Sequence, residues 1–272
     1  MPELPEVETI VRDLHPALTG QRIIGVQIWD RRLPRFPSEE DFRRRLLGRN
    51  IKNLQRRGKY IVAELDGGLT WLTHLRMTGR LLLALPEGER HQRAAFALDG
   101  GGDLWYCDLR RFGGMWVFWP GEEENLGGYG HLGPEPLSSE FSPAGLRAAL
   151  AGRKAPIKAL LLNQSIIAGL GNIYADEALF AAGIAPARPG GSLDPSECAV
   201  LVAAVREVLT EAIGSRGTTF RDYRSGLGTT GQYQGHLRVY GRAGQLCTAC
   251  GAVLERQRWG GRTTVFCPNC QT

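Results

Sequence analysis

Apolar residues recur along this 272-residue chain with two different periods. Val7, Ile10, Val11 and Leu14 fall at i, i+3, i+4 and i+7, which predicts a helix from about Pro5 to Leu14. Pro5 suits its first turn, where no amide hydrogen is needed. Glu6 and Glu8 then sit at the positive end of the helix dipole. From residue 22 the period shortens. RIIGVQIW (22–29), YIVAEL (60–65), LTWLTHL (69–75), RLLLAL (80–85), AAFAL (94–98), LWYCDL (104–109) and MWVFW (115–119) are short segments broken by Gly-rich turns. They predict the strands of an antiparallel sandwich. One helix interrupts them at Ser38–Leu47, with Ser38 as N-cap, Asp41 at the capping-box position and Gly48 past its end.

The pattern changes near residues 128–143, GYGHLGPEPLSSEFSP, which read as an interdomain linker. Beyond it the chain turns helical. Ser142-Pro143 opens a helix that Gly152 closes, and Asp194-Pro195 with Glu197 opens another that runs to Gly214. Between them, KAPIKALLLNQSIIAGLGNIYADEALFAAG predicts two short helices joined by a turn at Gly169-Leu170-Gly171-Asn172. Residues 214–235 hold Gly214, Gly217, Gly226, Gly228, Gly231 and Gly235 among polar residues. A loop that long is usually functional or disordered. The expected class is α+β, with a sandwich domain at 1–130, a linker at 131–145, a helical domain at 146–235 and a terminal hairpin at 236–272.

Charge changes this picture in one respect. The formal net charge is only +5, but residues 31–59 hold eleven Arg and Lys against three acids, and residues 216–262 hold eight Arg against two. A positively lined groove would attract polyphosphate and release its counterions; two ordinary solvated faces are the other reading. No apolar run approaches the roughly 18 residues of a membrane span, and no signal segment opens the chain, so a cytoplasmic protein is expected.

Four of the six cysteines lie in CTAC (Cys247, Cys250) and CPNC (Cys267, Cys270), sixteen residues apart. This twin C-x2-C spacing fits one structural Zn²⁺, whose four thiolates would leave no open position for water. A pair of redox CxxC motifs is the alternative. Cys107 and Cys198 stand alone in apolar surroundings and are expected to be buried.

MPELPEVE, RRGKY, HLRMTG, DLRRFGG, GLGNIYADEALF, VYGRAGQLC and GGRTTVFCPNCQ, in that order, resemble the bacterial formamidopyrimidine-DNA glycosylase family over residues 2–271. Those enzymes remove 8-oxoguanine and ring-opened purines and then nick the strand. The related endonuclease VIII branch opens PEGPE; here position 4 is Leu. The resemblance implies an N-terminal β-sandwich with flanking helices, a helix–two-turn–helix domain and a C-terminal β-hairpin zinc finger. Damaged double-stranded DNA would lie in the cleft between them, with a monomeric chain and no nucleotide cofactor or membrane.

The resemblance also implies roles for individual residues. Removal of Met1 would leave Pro2 with a free secondary amine, which titrates near 8 where a lysine titrates near 10.4, so more of it is nucleophilic at neutral pH. Pro2 would form the Schiff base with the sugar, Glu3 would be the proton donor, and Glu6 a supporting carboxylate or simply a dipole partner. Lys59 and Arg262 would donate protons in β- and δ-elimination. His74, Asn172 and, more weakly, Lys154 and Lys158 would contact DNA phosphates. Met77, Arg110 and Phe112 would fill the gap left by a flipped nucleotide; Arg110 is preferred to Arg111 for its two-residue spacing to Phe112, although Met77 or Phe112 taken alone would read as core. Thr218, Thr219, Arg221 and Tyr223 would belong to a loop over the lesion.

Overall fold

A computed structural model describes residues 1–126, 128–219, 225–259 and 261–272. The chain forms two compact units, residues 1–130 with 215–232, and residues 131–214 with 233–272. The first begins with α1 (Leu4–Leu18), whose buried face carries Val7, Ile10, Val11 and Leu14 as the sequence predicts. Leu18, one turn beyond Leu14, extends the apolar stripe and carries the helix past Pro16.

Among the described residues of this unit, nine strands follow in chain order: β1 (Ile23–Ile28), β2 (Pro34–Phe36), β3 (Ile51–Arg57), β4 (Tyr60–Leu65), β5 (Thr70–His74), β6 (Gly79–Leu82), β7 (Gln92–Leu98), β8 (Asp103–Asp108) and β9 (Gly114–Phe118). They make a four-stranded sheet of order β1-β7-β8-β6 and a five-stranded sheet of order β2-β9-β5-β4-β3. Ile23, Phe96 and Tyr106 of the first sheet share one apolar core with Ile61, Trp71 and Val117 of the second and Val7 and Leu14 of α1. The pairing is antiparallel except between β2 and β9, which run parallel.

Strands β2 and β3 were not legible in the sequence. β2 is three residues long, and β3, at the sheet edge, buries only Ile51 and Leu54 among polar neighbours. Between them lies α2 (Glu39–Leu46), where Ser38 Oγ accepts from the Asp41 amide at 3.2 Å and Phe42 and Leu46 face inward.

The second unit contains α3 (Pro143–Leu150), α4 (Ile157–Leu161), α5 (Asn172–Ala181), α6 (Pro195–Gly214) and a hairpin of β10 (Glu255–Trp259) and β11 (Arg262–Phe266). The expected caps are present. Ser142 Oγ accepts from the Gly145 amide at 3.1 Å, and Asp194 and Glu197 accept from each other's amides at 2.9 Å each. Phe180 of α5 packs with Val239, Leu254 and Val265 around the terminal cysteines. Cys107 and Cys198 are both buried.

Candidate active site and metal centre

Pro2 is buried immediately before the first turn of α1, and Glu3 is the N-cap of that helix. Glu3 and Glu6 form a capping box in which Glu6 Oε2 accepts from the Glu3 amide at 2.8 Å. The other oxygen of Glu6, Oε1, accepts from the Thr218 amide at 2.7 Å. One carboxylate thus ties the backbone beside Pro2 to the start of the Gly-rich segment. Gly217 is required for that approach: its φ is +79°, and a Cβ there would lie 2.6 Å from Glu6 Oε1. The segment is tied down at further points. Arg216 Nη2 donates to both carboxylate oxygens of Asp13 on α1, at 2.7 and 2.8 Å, and Thr219 Oγ1 accepts from the Gly231 amide at 2.8 Å. Arg221 and Tyr223 lie outside the described residues.

Lys59 stands in the tight turn between β3 and β4, and His74 ends β5 opposite Tyr60. Both are buried. His74 Nδ1 accepts from the Arg76 amide at 3.0 Å, and the ring meets the Tyr60 ring edge-on at 4.7 Å. Burial, followed by the positive charges of Arg76 and Lys59, lowers its pKa to about 3. The imidazole is therefore neutral, and an occupied Nδ1 places its proton on Nε2, the tautomer that donates. A neutral donor beside a lysine suits a phosphate oxygen.

Met77 is half-buried in the turn that follows β5, and Arg110 and Phe112 are exposed after β8. Phe112 leaves 50% of its surface accessible, and the Arg110 guanidinium lies 4.7 Å from the centre of its ring. Neither apolar side chain belongs to the core that its residue type alone would suggest.

In the second unit, Asn172 is the first residue of α5, and its Nδ2 donates to the Thr263 carbonyl at 3.0 Å. Thr263 is next to Arg262, which is exposed at the start of β11. The start of α5 and the hairpin are thereby joined at the residue next to Arg262. Lys154 is exposed. Lys158 is not, which corrects the expectation that it contacts DNA: it is 1% exposed and forms an ion pair with Asp176 at 2.6 Å. Lys158 Nζ also donates to the Thr263 carbonyl and to Thr264 Oγ1, at 3.1 and 2.6 Å. Glu177 accepts from the amides of Arg238, Val239 and Tyr240 at 2.8, 3.0 and 2.8 Å. The sequence reading overlooked both acids, although two adjacent carboxylates in the apolar run NIYADEALF require buried partners.

The thiol sulfurs of Cys247, Cys250, Cys267 and Cys270 all lie within 4.8 Å of one another. The sulfurs of Cys250 and Cys267 are 3.4 Å apart and those of Cys247 and Cys270 3.9 Å apart, so these contacts join the two motifs. A tetrahedron with metal–sulfur arms of about 2.3 Å has vertices about 3.8 Å apart. These four residues fit one structural Zn²⁺, held with no position left for catalysis.

Residues 1–115 match the Formamidopyrimidine-DNA glycosylase N-terminal domain and residues 132–224 the Formamidopyrimidine-DNA glycosylase H2TH domain. Formamidopyrimidine-DNA glycosylase of Moorella thermoacetica is 50% identical over 262 residues, covering 95% of each chain. Among solved structures, the MutM (Fpg) protein of Thermus thermophilus superposes with a TM-score of 0.91 at 43% identity, over 99% of this chain and 98% of that one. A complex between a Lactococcus lactis Fpg mutant and Fapy-dG-containing DNA gives a TM-score of 0.91 at 36% identity over the whole of both chains.

Proposed function

The chain belongs to the formamidopyrimidine-DNA glycosylase family, and from that premise we propose how it works as a DNA-repair glycosylase and abasic-site lyase. It removes 8-oxoguanine and formamidopyrimidines from duplex DNA and then cleaves the strand. With Met1 removed, the Pro2 nitrogen attacks C1′ of the damaged nucleoside and the base departs with its bonding electrons. Glu3, next in the chain, protonates the sugar oxygen as the ring opens. The resulting iminium acidifies C2′, and loss of that proton expels the 3′ phosphate; the conjugated iminium then acidifies C4′, and loss of that second proton expels the 5′ phosphate.

Lys59 and Arg262 assist the two departures, each cation meeting a phosphate as it leaves. His74 and Asn172 position phosphates as neutral donors, and exposed Lys154 adds positive charge. Arg221 and Tyr223 are assigned to the lesion loop by their place in the sequence. Glu6 serves this chemistry by position: with one oxygen on the Glu3 amide and the other on the Thr218 amide, it sets the distance between nucleophile and loop. The four cysteines hold the zinc that stiffens the hairpin bearing Arg262.

The observation carrying this reading is Pro2 at the head of a helix capped by Glu3 and Glu6. Excision assays test it. The mature protein should release 8-oxoguanine from 8-oxoguanine·C duplexes, leave phosphate on both sides of the gap, and act poorly on thymine glycol·A. Preference for the thymine glycol duplex would instead place the chain with pyrimidine-lesion enzymes.

A further inference from the structure

The two segments assigned to fill the helix gap, Met77 and Arg110–Phe112, are thirty-odd residues apart in sequence, and one buried carboxylate lies between them. Asp108 ends β8, pairs in register with Gly79, and is 1% exposed. Its Oδ1 accepts from Thr78 Oγ1 at 2.5 Å and from the Arg110 amide at 3.1 Å. Its Oδ2 accepts from Tyr106 Oη at 3.2 Å and from the Gly113 amide at 3.0 Å. Four donors fill the acceptor capacity of one carboxylate. Two of them bracket Arg110–Phe112, and a third is the residue after Met77. Thr78 Oγ1 closes the circuit by accepting from the Arg110 amide at 3.0 Å.

The glycines of both segments have their reason here. A Cβ at Gly113 would lie 1.7 Å from Tyr106 Oη, and one at Gly79 would lie 2.7 Å from the same oxygen. Each must be bare so that the tyrosine hydroxyl can reach Asp108 between them. Arg111, between the two exposed residues, has φ of +56°, a conformation that needs support from its surroundings.

We propose that Asp108 is a positioning residue for nucleotide flipping: it fixes Met77, Arg110 and Phe112 as one rigid wedge, and so controls action on duplex DNA but not on single strands. This rests on the assignment of those three side chains as the wedge. In a duplex, extruding the damaged nucleotide leaves a void and an orphaned base to be filled and paired. A single-stranded abasic site has neither, and needs only Pro2 and the eliminating groups.

Asp108→Asn keeps the volume but turns an NH₂ toward buried donors. The readout is the ratio of two activities, excision from an 8-oxoguanine·C duplex and cleavage of a single-stranded abasic oligonucleotide. Duplex excision should fall by at least about tenfold, the scale of one buried donor left unsatisfied. Single-strand cleavage should stay within about twofold of the parent, because nothing is flipped. Thr78→Val removes the hydroxyl that joins Asp108 to the Arg110 amide, so it should shift the ratio the same way and decides the matter if Asp108→Asn does not fold. A ratio unchanged in the variants that fold overturns the proposal. The parent's activity on the two substrates tests the functional reading separately.

Discussion

Glu6 and His74 both stand where a proton could be exchanged, and their partners fix them in other roles. Glu6 has a backbone amide on each oxygen, which holds its carboxylate between Glu3 and Thr218. His74 is buried with Nδ1 committed to the Arg76 amide and a pKa lowered to about 3. That depression has a direct consequence for stability. Below the ordinary histidine pKa of about 6.5, the unfolded chain takes up a proton that the folded chain refuses. The stabilising contribution is therefore complete above pH 6.5 and is lost as pH falls toward 3. The loss amounts to about 1.4 kcal/mol for each pH unit below 6.5. Urea unfolding followed from pH 8 to 5 should show a steeper decline in the parent than in His74→Gln; parallel declines would mean that the folded protein protonates His74. At this scale the sequence was unevenly informative. Pro2 and Glu3 take their proposed roles from the family resemblance, because a proline and an acid at a terminus also suit a rigid turn before a helix. Lys158 was misread, because a lysine in a short helix looks solvated until its buried acidic partner, eighteen residues away, is known.

Elements were legible where apolar residues were dense or regularly spaced. The apolar stripe of α1 and the strands flanking Gly-rich turns all appear where the pattern put them. The basic edge strand β3 escaped because its apolar residues are too few to set a period; it is held by its pairing with β4 and by Ile51 and Leu54 in the core shared with α1. Helix α5 shows the opposite case. Its consecutive acids serve tertiary structure, Asp176 through Lys158 and the Val265 amide and Glu177 through three amides before the hairpin. Removing one member of the buried pair strands the other. Lys158→Met should lower the unfolding free energy by about 3–5 kcal/mol, and the double change Lys158→Met with Asp176→Leu should recover most of it. If Lys158→Met cost no more than the same change at exposed Lys154, the pair would not be supporting the helix.

On the scale of the whole molecule, the residues proposed for the chemistry are divided between the two units. The first holds Pro2, Glu3, Lys59, His74 and the wedge, and the second holds Asn172, Arg262 and the zinc cysteines. The cysteine spacing announced the metal site without any structure, since four thiols at those intervals have few other uses. The Asp108 network was invisible beforehand, because it depends on a strand register that brings Gly79 beside Asp108. In the proposed mechanism all of these parts serve one covalent step at Pro2. The most direct test is to reduce the mature protein with borohydride in the presence of 8-oxoguanine duplex, digest the adduct, and locate the sugar remnant by mass spectrometry. The remnant should be on the Pro2 nitrogen of the terminal peptide. Finding it on Lys59 or any other lysine, with the terminal peptide unmodified, would contradict the mechanism.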